Sequence, residues 1–348
     1  MPAHPATRDP APITGSAPNK SAPAALAGVV LIALFSFFVV YPGHDPKPND
    51  LPVAVVGTDA AAQRVVAGLK APGDDFSVVR VANEHAARAA IDNRGVYGAL
   101  LPGSGRVLVA SAASLAASNV IVAAAEHANG GRIAVVDLKP LVRNDARNTT
   151  IVLTTIAVTV PGLLGAAVAL FLAPALDVRR RIGLLALIAI AGGLVAMLIV
   201  RVAMGALPGS YPALAGVTAA GIFAFASWAT ALMLRVGTPG ILLSFLLFLM
   251  LANPGSGAAS APQMLPDPWS WAGQLAPPGA LATGLRNTAY FGAAGISKWL
   301  TVLLVFGLLG VVGIIVASRS RTEHAAPEPQ APAWSPPPSL TTQARVDD

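Results

Sequence analysis

The sequence predicts an α-helical polytopic membrane protein with six transmembrane helices and an α/β extracytoplasmic domain inserted between the first and the second. Three observations carry this expectation. Long apolar runs are broken only by a few charges, and those charges sit where the runs end. Each run is close to the ~20 residues that a helix needs to cross the hydrocarbon layer. Between the first and second runs, short apolar strands alternate with Ala-rich helical stretches.

The first run, Ala24 to Tyr41, follows a segment rich in Pro, Ala and Ser. Phe38-Val39-Val40-Tyr41-Pro42-Gly43 offers no small-x-small cleavage site, so the run reads as an uncleaved signal anchor, with a cleaved signal as the alternative. Thr149 to Leu176 is uncharged and is closed by Asp177-Val178-Arg179-Arg180-Arg181. Ile182 to Val200, Val202 to Leu234, Val236 to Ala252 and Trp299 to Ser318 follow. Without water to satisfy backbone N–H and C=O groups, helices are the economical way for such runs to cross. Barrel strands would alternate polar and apolar residues, and these runs do not. Arg179, Arg180 and Arg181 follow the second span, Arg235 the fourth, and Arg319 and Arg321 the sixth. The positive-inside rule then puts both termini in the cytoplasm and 43–148 outside.

Within 43–148, Val53 to Gly57 reads as a strand, Ala60 to Leu69 as a helix and Phe76 to Val81 as a second strand. Asn83 is placed to N-cap a helix over Glu84 to Ile91. Val96 to Leu101 and Arg106 to Ala110 read as strands joined through the glycines of Pro102-Gly103-Ser104-Gly105. Leu115 to Ala128 is a further helix, stopped by Asn129-Gly130-Gly131, and Ile133 to Leu138 a last strand. Alternation of this kind predicts an α/β sandwich. The domain boundaries expected are a disordered tail at 1–23, a first span at 24–42, the outer domain at 43–148, five spans over 149–319 and a second disordered tail at 320–348. A plain solvated tail and a Pro-rich docking segment are the two readings of the C-terminal end.

A second outer region, 253–297, is too long for a tight turn and too apolar for a solvated loop. Pro254, Pro266, Pro268, Pro277 and Pro278 forbid one continuous helix there. The expectation is a re-entrant set of short helices lining the exit of a substrate path, with Asn253, Pro254, Met264, Pro266, Trp269 and Arg286 as its candidate residues; an interfacial cap without a transport role is the alternative.

Composition narrows the chemistry. The chain is 54% hydrophobic and 11% charged, with a mean hydropathy of +0.64. Its pI near 10.1 reflects a small basic excess placed at span ends, so nucleic acid is not an expected partner. Eighteen Arg against five Lys, with abundant Ala, suggests a high-GC bacterial genome. The absence of Cys excludes disulfides, thiolate metal sites and Cys nucleophiles. No phosphate-binding G-x-x-x-x-G-K-[ST] occurs, no G-x-S-x-G elbow occurs, and the five His residues are never spaced as metal ligands. Neither enzyme activity nor a cofactor is therefore expected. The span interiors also lack the ionisable relay that ion-coupled pumps place there. Gly162, Gly165, Gly192, Gly193, Gly216, Gly221, Gly307, Gly310 and Gly313 predict closely packed helices.

One span, a large outer domain and five further spans resemble the permease subunits of type-2 ABC exporters, particularly the YhgE/phage-infection-protein kind. The resembling segments are Leu51 to Asp59, Ala86 to Asp92 leading to Val96-Tyr97-Gly98-Ala99-Leu100, and Asn253-Pro254-Gly255-Ser256-Gly257 followed by Pro262 to Pro266 and Trp269. The resemblance covers roughly residues 25–318. It implies a bacterial inner-membrane subunit that moves a hydrophobic or cell-envelope substrate outward, powered by a separate ABC ATPase and working as a homodimer or with a sister permease. Arg179, Arg180 and Arg181 are the candidate ATPase contact. Where family members carry an amphipathic N-terminal helix and a long coupling element, this chain has a Pro-rich segment and the short loop Asp177 to Arg181. The alternative from another class is a non-transporting envelope scaffold whose outer domain binds a partner, with a membrane enzyme third.

Overall fold

The computed structural model describes residues 21–70 and 75–324, with side chains to Arg319. The expected tails otherwise lie outside the described residues. Ser21 to Pro23 already belong to the first helix, and the last helix runs on to His324.

The α/β unit forms as its sequence pattern requires. Strand β1 (Leu51–Val56) buries Leu51, Val53, Ala54 and Val55 and runs parallel to β2 (Phe76–Val81) on one side and β3 (Gly98–Leu101) on the other. A near-continuous apolar run is what a strand covered on both faces needs. β3 turns back antiparallel into β4 (Arg106–Val109), with Leu100 opposite Val107, and β4 runs parallel to β5 (Ala134–Asp137). The order across the sheet is β2-β1-β3-β4-β5. The β3–β4 connection is one 3₁₀ turn over Pro102–Ser104, ended by Gly105 at φ +60°.

Three helices cross between the parallel strands: α2 (Ala60–Lys70), α3 (Glu84–Asp92) and α4 (Leu115–Asn129). Their starts are capped by side chains. The oxygens of Asp59, Asn83 and Ser114 accept from the N–H groups of Ala62, Ala86 and Ala117. Each such cap contributes roughly 1 kcal/mol to its helix.

The remaining helices are largely apolar. These are α1 (Ser21–Val40), α5 (Thr150–Leu172), α6 (Val178–Met197, continued by a π-helical turn to Ala203), α7 (Tyr211–Val236) and α8 (Pro239–Phe245, continued by a π-helical stretch to Ala252). After a four-residue α9 (Trp269–Ala272) come α10 (Pro277–Tyr290) and α11 (Ile296–His324). α7 is the hub. Two thirds of its apolar window (67%) is buried, against 0% for α1, so α7 packs on protein while α1 keeps its apolar surface free for lipid. Close approach to α7 depends on small residues. A Cβ on Gly193 of α6 would lie 2.6 Å from the Ala215 carbonyl oxygen, and one on Gly310 of α11 would lie 2.6 Å from the backbone carbon of Ser227.

Five described helices are long and apolar enough to cross a membrane: Ser21–Gly43, Thr150–Leu172, Val178–Ala203, Tyr211–Val236 and Ile296–Arg319. The fifth expected span, Val236 to Ala252, is instead the shorter apolar helix Pro239–Ala252. Gly237 ends α7, Pro239 restarts the chain, and Asn253-Pro254-Gly255 terminates the new helix before it reaches full length. At ~1.5 Å per residue it spans only about 21 Å, short of the ~30 Å hydrocarbon layer. It nevertheless leads from the end of α7, where Gly240 abuts the Leu232–Met233 backbone, toward the α/β unit, where the Gln263 carbonyl accepts from the Asn49 N–H at 2.8 Å.

The region 253–297 is built of short pieces. It contains 3₁₀ turns at Pro254–Ser256, Pro262–Met264 and Gly273–Leu275, besides α9 and α10. α10 is buried along almost its whole length against α7, α11 and α5. The same region also reaches the other way. Ala261, Met264 and Phe291 are part of the hydrophobic core of the α/β unit, together with Leu51, Tyr97 and Leu108. The core of that unit is thus completed by residues more than a hundred positions downstream of its own strands.

A cavity between the spans and the α/β unit

A cavity of about 600 Å3 lies where three parts of the chain meet. The turn after α3 brings Arg94 and Tyr97, the 253–297 region brings Gln274 and Asn287, and the start of α11 brings Lys298 and Trp299. Each is positioned by its own local structure.

α3 ends in a hydrogen-bonded C-cap, with the N–H of Asn93 bonded to Ala89 O, of Arg94 to Ile91 O and of Gly95 to Ala90 O. Arg94 occupies the left-handed position of that cap at φ +61°, where glycine is the usual residue. An L side chain there costs about 1 kcal/mol. The guanidinium carbon lies 4.9 Å from the ring centres of both Tyr97 and Phe291, and its Nε is buried without a hydrogen-bond partner.

Gln274 is fixed at both ends. Its Nε2 donates to Ser256 O at 2.8 Å, and its Oε1 accepts from the Thr283 hydroxyl at 2.8 Å. Asn287 is 4% exposed. Its Nδ2 donates to Ala294 O at 2.7 Å, the carbonyl that also accepts from the Trp299 indole, while its Oδ1 has no partner. Lys298 is exposed in the first turn of α11, and no carboxylate lines the cavity. Trp271 and Leu275, 58% and 61% exposed, give the same cavity an apolar rim.

None of the six residues expected to line a substrate exit is among those lining this cavity. Arg286 is 1% exposed and donates to the carbonyls of Ala258 (2.7 Å) and Gly257 (3.3 Å), pinning the loop after Pro254. A guanidinium stays protonated, so α10 carries a buried charge held by carbonyl dipoles, with no carboxylate at ion-pair distance among the described residues. Met264 lies in the α/β core. Trp269 sits against Phe37, Phe38 and Tyr41 at the end of α1. Pro266 borders a separate cavity with Tyr41 and Lys47, and Asn253 ends the π-helical stretch with a buried, unpartnered Nδ2.

Of the basic cluster, Arg179 and Arg180 are exposed, whereas Arg181 is buried and donates to the carbonyls of Pro174 (3.0 Å) and Leu176 (3.1 Å). Arg181 therefore closes the α5–α6 loop and is turned away from any docking partner.

Five membrane-length apolar helices, α7 the most buried of them, together with a small α/β unit, mark a multi-pass membrane protein. Compared with known proteins, the chain matches no family model, no curated protein and no solved structure, so the functional argument rests on the fold and the cavity.

Proposed function

We propose that this chain is the membrane subunit of an ABC-type exporter in a bacterial inner membrane, moving a hydrophobic or cell-envelope substrate outward with energy from a separate ATPase. The observation that carries the reading is the cavity itself, which joins polar groups to an apolar rim where the helices meet the α/β unit. A path for an amphiphile needs both. In this reading the α/β unit faces outward, Pro239–Ala252 completes a sixth crossing with the help of the 253–275 turns, and both termini are cytoplasmic. The π-helical turns at Leu198–Ala203 and Leu246–Ala252 add support, since such turns recur at functional places in helices. Arg179 and Arg180 then face the cytoplasm, free to meet the ATPase.

Purification of the full chain from its native membrane in mild detergent tests this. Recovery of a nucleotide-binding subunit, lost in an Arg179→Ala/Arg180→Ala variant that still folds, is the expected result. Repeated recovery of a partner bound to the α/β unit, and of no ATPase, would favour the scaffold alternative instead.

A further inference from the structure

Both cations of the cavity stand where the fold alone would choose otherwise. Arg94 holds a left-handed position that favours glycine, and Lys298 lies in the first turn of α11, where the positive end of the helix dipole disfavours a cation. Neither has an ion-pair partner among the described residues. Backbone strain that survives in a fold clusters at sites of ligand contact. Two unmet hydrogen-bonding atoms lie with them: the Arg94 Nε needs an acceptor, and the buried Asn287 Oδ1 needs a donor.

We infer that the cavity binds the headgroup of an anionic amphiphile that also carries a hydroxyl. The anion lies between Arg94 and Lys298, a headgroup hydroxyl donates to Asn287 Oδ1, and the chains leave over Trp271 and Leu275. A charge-assisted contact to a guanidinium is about twice as strong as a neutral one, which makes the two cations the source of selectivity. A zwitterionic headgroup without hydroxyls offers no donor to Asn287 Oδ1 and brings its own cation toward Arg94 and Lys298. The inference rests on the export reading for its consequence, naming the class of substrate, but the binding itself requires no ATPase.

The test uses the full chain reconstituted in phosphatidylcholine nanodiscs, titrated with phosphatidylglycerol whose acyl chains are brominated. Bromine quenches nearby indoles, and Trp271→Phe identifies the cavity signal. Phosphatidylglycerol is expected to bind about tenfold or more tightly than brominated phosphatidylcholine, a difference of about 1.4 kcal/mol. Arg94→Gly and Lys298→Gln are each expected to remove most of that preference, and Arg94→Lys to keep much of it. Arg94→Gly also relieves the left-handed backbone, so its melting temperature should be equal to or above that of the wild type, separating lost binding from lost folding. Equal affinity for the two lipids, or a preference that survives both substitutions, would overturn the inference. Glycerol phosphate competing as well as the lipid would overturn its amphiphilic part. Failure here leaves the recovery of an ATPase unaffected, and failure to recover an ATPase leaves the lipid preference unaffected, so the two readings fail separately.

Discussion

Truncating Met264 should unfold the wrong place. Met264 belongs by sequence to the loop between α8 and α9, but it is 1% exposed within the core formed by β1, β3 and β4. Met264→Ala removes a buried side chain and leaves a cavity, which costs about 2–5 kcal/mol. For a small domain whose total stability is roughly 5–15 kcal/mol, that is a large share. The loss should therefore appear more than a hundred residues away, as amide exchange in Leu51–Val56 and Gly98–Leu101 faster by about thirtyfold or more. Hydrogen–deuterium exchange of the intact chain in detergent, read by peptide mass spectrometry, measures this directly. If exchange quickened only within 253–275 and the strands kept their protection, the claim that this loop completes the α/β core would be refuted.

Three further outcomes follow from the packing and charges. Gly310→Leu drives a side chain into Ser227 and should lower stability by about 1–3 kcal/mol, seen as a lower melting temperature in detergent, whereas Gly216→Leu, with open space around it, should not. The Glu84 carboxyl is held below its ordinary value of 4.5 by its hydrogen bond from Arg88, supported by Arg106. A depressed carboxylate stabilises the fold above its unfolded pKa, and this is lost as pH falls through the folded value. Thermal melts should thus show wild type more stable than Glu84→Gln near neutral pH, the two converging as acid protonates the carboxyl. In the native Cys-free chain, single Cys at the exposed positions Ser104 and Ala259 should react with an impermeant maleimide in intact cells, and Cys at Asp177 should not. Labelling of Asp177→Cys from outside would reverse the orientation.

The α/β unit was legible because its signals are local. Alternating apolar strands, the cap Asn83, and the glycines at Gly105 and Gly130 each fix a short stretch of backbone, and every expected strand and helix is found there. Four long apolar runs after the outer domain, and one before it, were legible from length and charge alone. Val236 to Ala252 was not. Hydropathy counts residues, and it does not register that Gly237 and Asn253-Pro254-Gly255 leave fourteen helical positions between them. The cavity was the least legible part, because its walls come from α3, the 253–297 turns and α11. Nothing in the sequence sets Arg94 apart; its backbone conformation and the two rings beside it do. Arg286 was the reverse: an intramembrane-like cation that attracts a functional reading, and whose hydrogen bonds reach back from α10 to the carbonyls of Gly257 and Ala258.

If the cavity is an export site, the chain should move an anionic lipid across the bilayer. Inside-out membrane vesicles from cells expressing the chain with its native neighbours can be loaded in the outer, cytoplasmic leaflet with nitrobenzoxadiazole-labelled phosphatidylglycerol. Protection from dithionite then reports transfer to the lumenal leaflet. Protection should require ATP, fall to the level of vesicles lacking the chain when Arg94→Gly or Lys298→Gln is introduced, and be weaker for labelled phosphatidylcholine. Transfer of both lipids at the same rate with and without the chain, at normal expression and with ATP present, would contradict it.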